Sequence, residues 1–193
     1  KFRFAGASAH ASAAPSRGRS ALDGVEIMNV AVNYLREHIP DGTRIRYVVT
    51  DGGAAPNVVP DKAEVYYYVR HTDPQIVRDV FARMQKAAEG AALATETTVS
   101  FEQTGGVYNM LVNDTLGQVM DQALREVGPP AWNAQEQAFA EAMSKQLPAG
   151  RTPTPASEIR PYSIGGGGGG STDVADVSWV TPTAGMGAAT WVP

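Results

Sequence analysis

Three side chains stand where their surroundings leave their chemistry available: His10, Asn57 and Arg70. His10 sits in GASAHASAAPSRG, a stretch of small residues. Neighbours of that size leave an imidazole open to a ligand, and a neutral imidazole can donate to developing negative charge. The same composition also fits a solvated loop histidine. Asn57 lies between Pro56 and Pro60, behind Gly52-Gly53, in DGGAAPNVVP. An amide in so constrained a connection is either displayed for recognition or caps its own turn. Arg70 closes the run KAEVYYYVR, on the alternation set of Tyr66 and Tyr68. It is either an exposed strand-end arginine or a planar fork for a carboxylate, a geometry that lysine does not offer. The two other histidines, His38 and His71, fit a helix end and a strand end.

Other chemistries are excluded by what the sequence lacks. With no cysteine, disulfides, thiolate zinc sites, Fe–S clusters and a Cys nucleophile all fall away. A zinc hydrolase gathers His and carboxylate ligands from several segments, and three scattered histidines do not make a complete site within this chain. Neither HExxH nor GxSxG occurs. A triad pairing Ser8 or Ser12 with His10 lacks anything to orient the serine. The glycines before Ser171-Thr172 resemble a phosphate loop only superficially, because Gly170 stands where the lysine is needed. Sixteen basic against 20 acidic residues argue against a nucleic-acid surface. No apolar run approaches the ~18 residues of a membrane span, and the opening KFRFAGASAH has no signal-peptide core. A cytoplasmic protein with no membrane partner is expected.

The elements that must position the three residues follow from periodicity. Residues 1–6, KFRFAG, read as a short strand. Leu22, Val25, Met28, Val32, Leu35 and Ile39 recur at helical spacing, with Asp23, Glu26, Asn29, Asn33 and Arg36 opposite, which predicts a helix from Ser20 to His38. Ile45, Tyr47 and Val49 alternate as a second strand, and Lys62 to Arg70 as a third. Asp73-Pro74 opens a second helix carrying Ile76, Val80 and Met84. Thr97–Gln103 supplies the fourth strand. The order β-α-β-β-α-β predicts an α+β, ferredoxin-like domain over residues 1–108: one antiparallel sheet with two helices on one face. The remainder, 109–193, predicts two further helices: one carrying Leu116 to Val127, and one capped by Asn133 with Phe139, Met143 and Leu147 on a stripe. A proline-rich stretch and six glycines, 165–170, follow, and no periodic element is expected after them.

The segments GASAHASAAPSRGRSALDGVEIMN and GGAAPNVVPDKAEVYYYVR resemble the lid, or dimerisation, domain of the M20 metallopeptidase and amidohydrolase family. NDTLGQVM, GPPAWNAQEQAFA and STDVADVSWVTPT resemble adjoining catalytic-domain segments, most similar to the aminobenzoyl-glutamate utilisation branch. The resemblance implies that His10 reaches across a homodimer to steady the oxyanion of the tetrahedral intermediate. It implies that Asn57 and Arg70 hold the substrate, typically by a terminal carboxylate. It also implies two zinc ions in the intact enzyme, with ligands and a general-base glutamate mostly ahead of the lid. Asp173 and Asp176 are not assigned as ligands.

The expected protein is therefore the lid portion of a zinc-dependent amidohydrolase acting on N-acyl amino acids such as aminobenzoyl-glutamate. Residues 109–193 would be part of its catalytic domain. This chain alone is expected to bind no zinc and to be inactive, with His10, Asn57 and Arg70 projecting from one end of the sheet. It is expected to dimerise where the helix 20–38 and the second strand meet a sheet edge. The competing expectation is a non-catalytic ferredoxin-like module that dimerises and binds a small acid.

Overall fold

In the computed structural model, which describes residues 1–146, 158–164 and 170–187, the β-α-β-β-α-β order is realised within Lys1–Asn109. The elements are β1 (Phe2–Ala5), α1 (Ala21–Leu35), β2 (Arg44–Asp51), β3 (Lys62–Arg70), α2 (Pro74–Ala94) and β4 (Thr98–Phe101). They form one antiparallel sheet in the order β2-β3-β1-β4, so β2 and β4 are its edges. Local chemistry fixes the helix starts. The Ser20 hydroxyl accepts from the Asp23 N–H at 3.2 Å, and the Asp73 carboxylate accepts from the Gln75 N–H at 2.7 Å, with Pro74 behind it. Each such cap is worth about 1 kcal/mol.

The core lies between the helices and one face of the sheet. Phe2 and Phe4 on β1 and Val65 on β3 are fully buried against Val25 and Met28 of α1 and Met84 of α2. The Phe2 ring meets Tyr67 edge-on at 6.0 Å. Gly24 lets α1 lie on β1, since a Cβ there would stand 2.5 Å from the Phe4 ring. Gly6 does the same where the chain leaves β1, because its Cβ would fall 1.9 Å from the Arg19 carbonyl oxygen.

One assignment of side is corrected. Asn29, expected with the polar residues, is 9% exposed. It lies one turn from Val25 at the border of the apolar stripe, and the Tyr67 hydroxyl donates to its Oδ1 at 2.5 Å. A buried amide with a partner is tolerated where an unpaired one is not.

The second unit, Met110–Pro193, holds α3 (Asp114–Val127), α4 (Ala134–Ser144) and α5 (Val174–Ser178). Asn113 caps α3, and Asn133 with Glu136 forms a capping box at α4. The five-residue α5 appears where no periodic element was expected, being too short to show a period. Gly165 to Gly169, most of the proline-rich stretch and Leu147 lie outside the described residues. No helix among the described residues is long and apolar enough to cross a membrane.

Candidate functional site

His10 and Asn57 are brought together by backbone pairing between two loops. The Val59 N–H donates to the Ala9 carbonyl at 2.9 Å, and the Ala11 N–H to the Asn57 carbonyl at 3.0 Å, around a bridge of His10 with Val58. Both residues are exposed. The loop also orients the imidazole: Nδ1 accepts from the backbone N–H groups of Ser12 at 3.2 Å and Ala13 at 3.1 Å. An accepting Nδ1 leaves the proton of the neutral ring on Nε2, so the outward nitrogen is a donor. Such a group suits a negative oxygen rather than a cation. Ser12 meets the ring through its backbone, which is not the geometry of a nucleophile. The Asn57 side-chain amide makes no hydrogen bond among the described residues, so it caps no turn and is free to meet a ligand.

Arg70 is elsewhere. It ends β3, while Asn57 and His10 lie before that strand begins. The nine residues of β3 span about 26 Å. The expectation that all three residues share one end of the sheet is therefore corrected: the strand that separates them in sequence also separates them in space. The Arg70 guanidinium lies 5.7 Å from the centre of the Tyr68 ring, on the sheet face opposite the helices.

That open face has two electrostatic halves. At the β1 end, Glu64 accepts from Thr50 at 2.7 Å, Lys1 at 3.1 Å and Arg3 at 2.7 Å, and Arg3 also meets Glu102 at 2.7 Å. The Thr50 hydroxyl foremost, then the two cations, hold the Glu64 carboxyl down at about 2, against the opposing effect of its desolvation. At the Arg70 end, Arg44 is paired directly opposite Arg70 and Arg46 opposite Tyr68. Alternation alone marks these two arginines as nothing more than the polar positions of a strand. Their signal in the sequence is Arg-x-Arg at the start of one strand facing an arginine at the end of the next.

Among the described residues no three His, Cys, Asp or Glu side chains gather to hold a metal ion. Together with the Nε2–H of His10, this means the described residues do not fit the zinc pair that the family resemblance implies. What they offer is donors and a positive charge for an anionic ligand.

A model of the peptidase dimerisation domain of M20 proteins matches residues 1–96. Residues 1–96 belong to the M20 peptidase dimerisation-domain family. Beyond this dimerisation domain, the chain is 38% identical to a p-aminobenzoyl-glutamate hydrolase polypeptide of Escherichia coli K12, over 95% of this chain and 44% of that protein. It is 30% identical to the Xaa-Arg dipeptidase of Mus musculus over 59% of this chain and 27% of that one. It thus spans less than half the length of these relatives. The solved structure of an aminobenzoyl-glutamate utilization protein from Klebsiella pneumoniae superposes with a TM-score of 0.53 at 23% identity, covering 63% of this chain and 31% of that chain. That likeness shows the fold of the dimerisation domain.

Proposed function

We propose that this chain is the dimerisation region of a zinc-dependent M20 amidohydrolase that cleaves the amide bond of N-acyl amino acids of the aminobenzoyl-glutamate kind. Its own residues hold the substrate across a homodimer: His10 and Asn57 of one protomer work with Arg70 of the other. His10 donates from Nε2 to the carbonyl oxygen as it gains charge, Asn57 orients the substrate, and Arg70 grips the carboxylate of the amino-acid half. The zinc pair would be held by ligands outside the described residues, so the role given to this region is binding and orientation.

The support is topological. β2 is an open edge, and Tyr47 and Val49, on its helix-side face, are each 40% exposed. A two-fold axis normal to the sheet would pair β2 antiparallel with the partner's β2 and cover them. In that arrangement the partner's β3 runs opposite to β3, so its His10–Asn57 end lies beside Arg70. The strands from β3 to the partner's β3 are three spacings apart, about 14 Å, a gap that loops and long side chains cross. Within one protomer the full length of β3 intervenes. In the second unit, Val119 at 58% and Phe139 at 60% exposure fit a segment whose apolar stripes are covered by further parts of a catalytic domain.

Complementation between protomers of the complete enzyme tests this. His10→Ala and Arg70→Ala homodimers should each be nearly inactive. Mixed and allowed to exchange, they should recover about a quarter of wild-type activity, because half the dimers then carry one intact site. No recovery beyond the parents would place both residues in one protomer's site or in none.

A further inference from the structure

The open face of the sheet is neutralised at one end and bare at the other. Arg44 and Arg70 are directly opposed on neighbouring antiparallel strands, which sets their Cα atoms ~4.5–5.5 Å apart with both side chains on the same face. Like charges in that relation are destabilising. A fold that keeps them normally supplies a carboxylate between them, as Glu64 stands between Lys1 and Arg3 on the same face. Here none is supplied: among the described residues Arg44, Arg46 and Arg70 form no ion pair. The Arg44 and Arg46 guanidiniums donate only to the carbonyls of the residues before them, Thr43 at 3.1 Å and Ile45 at 3.1 Å. All three arginines are exposed. Asp73, which follows shortly after Arg70, is occupied as the cap of α2. Arg46, diagonal to Arg70, brings a third positive charge within ~7–8 Å of it along the backbone.

We propose that Arg44, supported by Arg46, is the anchor for a second carboxylate beside Arg70, so that the acid half of the substrate is a dicarboxylic amino acid of the aspartate or glutamate class. This rests on Arg70 as the anchor of the first carboxylate. A monoacid satisfies one guanidinium and leaves Arg44 opposed to a neutralised neighbour. A diacid satisfies both guanidiniums, and the field of the uncompensated arginines then becomes binding energy. The Arg70 stack on Tyr68 holds one fork in place, so the second is selected by the distance between the two carboxylates.

The test compares N-benzoyl-glutamate with its neutral isostere N-benzoyl-glutamine on the complete enzyme, in wild type, Arg44→Gln, Arg44→Lys and Arg70→Gln. Arg44→Gln should lower the glutamate-to-glutamine ratio of kcat/KM at least tenfold, mainly through KM, and Arg44→Lys should restore part of it. The same Gln variant should melt in urea at or above the wild-type midpoint, because removing one of two opposed charges relieves repulsion. A merely structural arginine would lower that midpoint. An unmoved ratio, with Arg70→Gln still impaired on both substrates, overturns the second anchor and leaves the composite site standing. If Arg70→Gln is also without effect on either substrate, the reading of Arg70 falls with it. A shift in dimer dissociation without a shift in the ratio also overturns the proposal and assigns Arg44 to the seam.

Discussion

The Tyr67 hydroxyl donates to the buried Asn29 Oδ1 at 2.5 Å, joining a central strand to the helix packed over it. Burial foremost pushes the Tyr67 phenol well above its usual range, so it remains a donor at any working pH. The pair is the main polar contact inside an apolar core.

Removing one partner should therefore cost more than removing both. Asn29→Leu leaves a buried hydroxyl without an acceptor and should destabilise the fold by about 1–3 kcal/mol. Tyr67→Phe alone leaves the amide unpaired and should cost a similar amount. The double variant should recover much of the loss. Urea unfolding of the four proteins gives the coupling directly; additive losses would mean that the hydrogen bond contributes nothing.

How far the sequence discloses all this depends on the kind of signal. Periodicity locates both lid helices and all four strands, because Val25, Met28 and Val32, or Val65 and Tyr67, repeat at the spacing their elements require. The strand order then follows from the ferredoxin-like connection pattern. Asn29 escapes correct placement because its partner is 38 residues away and no local pattern marks it. α5 escapes because five residues are little more than one helical turn. His10, Asn57 and Arg70 stand out by type and context, but type and context do not say which end of the sheet each occupies. The nine-residue strand between Asn57 and Arg70 carries that information, since a strand of that length puts what precedes it and what ends it at opposite ends of a sheet. The Arg44–Arg70 opposition needs the register, which the sequence does not state.

Acid should weaken the domain in a defined window. The Glu64 carboxyl is held at about 2, below its ordinary 4.5, first by the Thr50 hydroxyl and then by Lys1 and Arg3. A carboxyl depressed in the folded state binds protons more readily when unfolded, so its contribution is complete above pH ~4.5 and is lost as pH falls toward ~2. Glu64→Gln should flatten the urea midpoint across that window relative to wild type. If both proteins lose stability in parallel from pH 5 to pH 2.5, other carboxyls govern acid unfolding.

The β2 edge gives the sharpest test of assembly. Val48 is 55% exposed on this edge strand, so in a monomer a lysine there costs little, within about 0.5 kcal/mol. In an antiparallel pairing of two β2 strands, however, each added lysine lies close to its symmetry mate near the two-fold axis, where like charges oppose each other. Val48→Lys should therefore raise the dimer dissociation constant at least tenfold in sedimentation experiments while circular dichroism stays native. Because His10 and Asn57 are proposed to meet the partner's Arg70 only across that seam, activity of the complete enzyme should fall with dimer population and return as protein concentration rises. Undiminished activity in a demonstrably monomeric Val48→Lys enzyme would rule out a site shared between protomers.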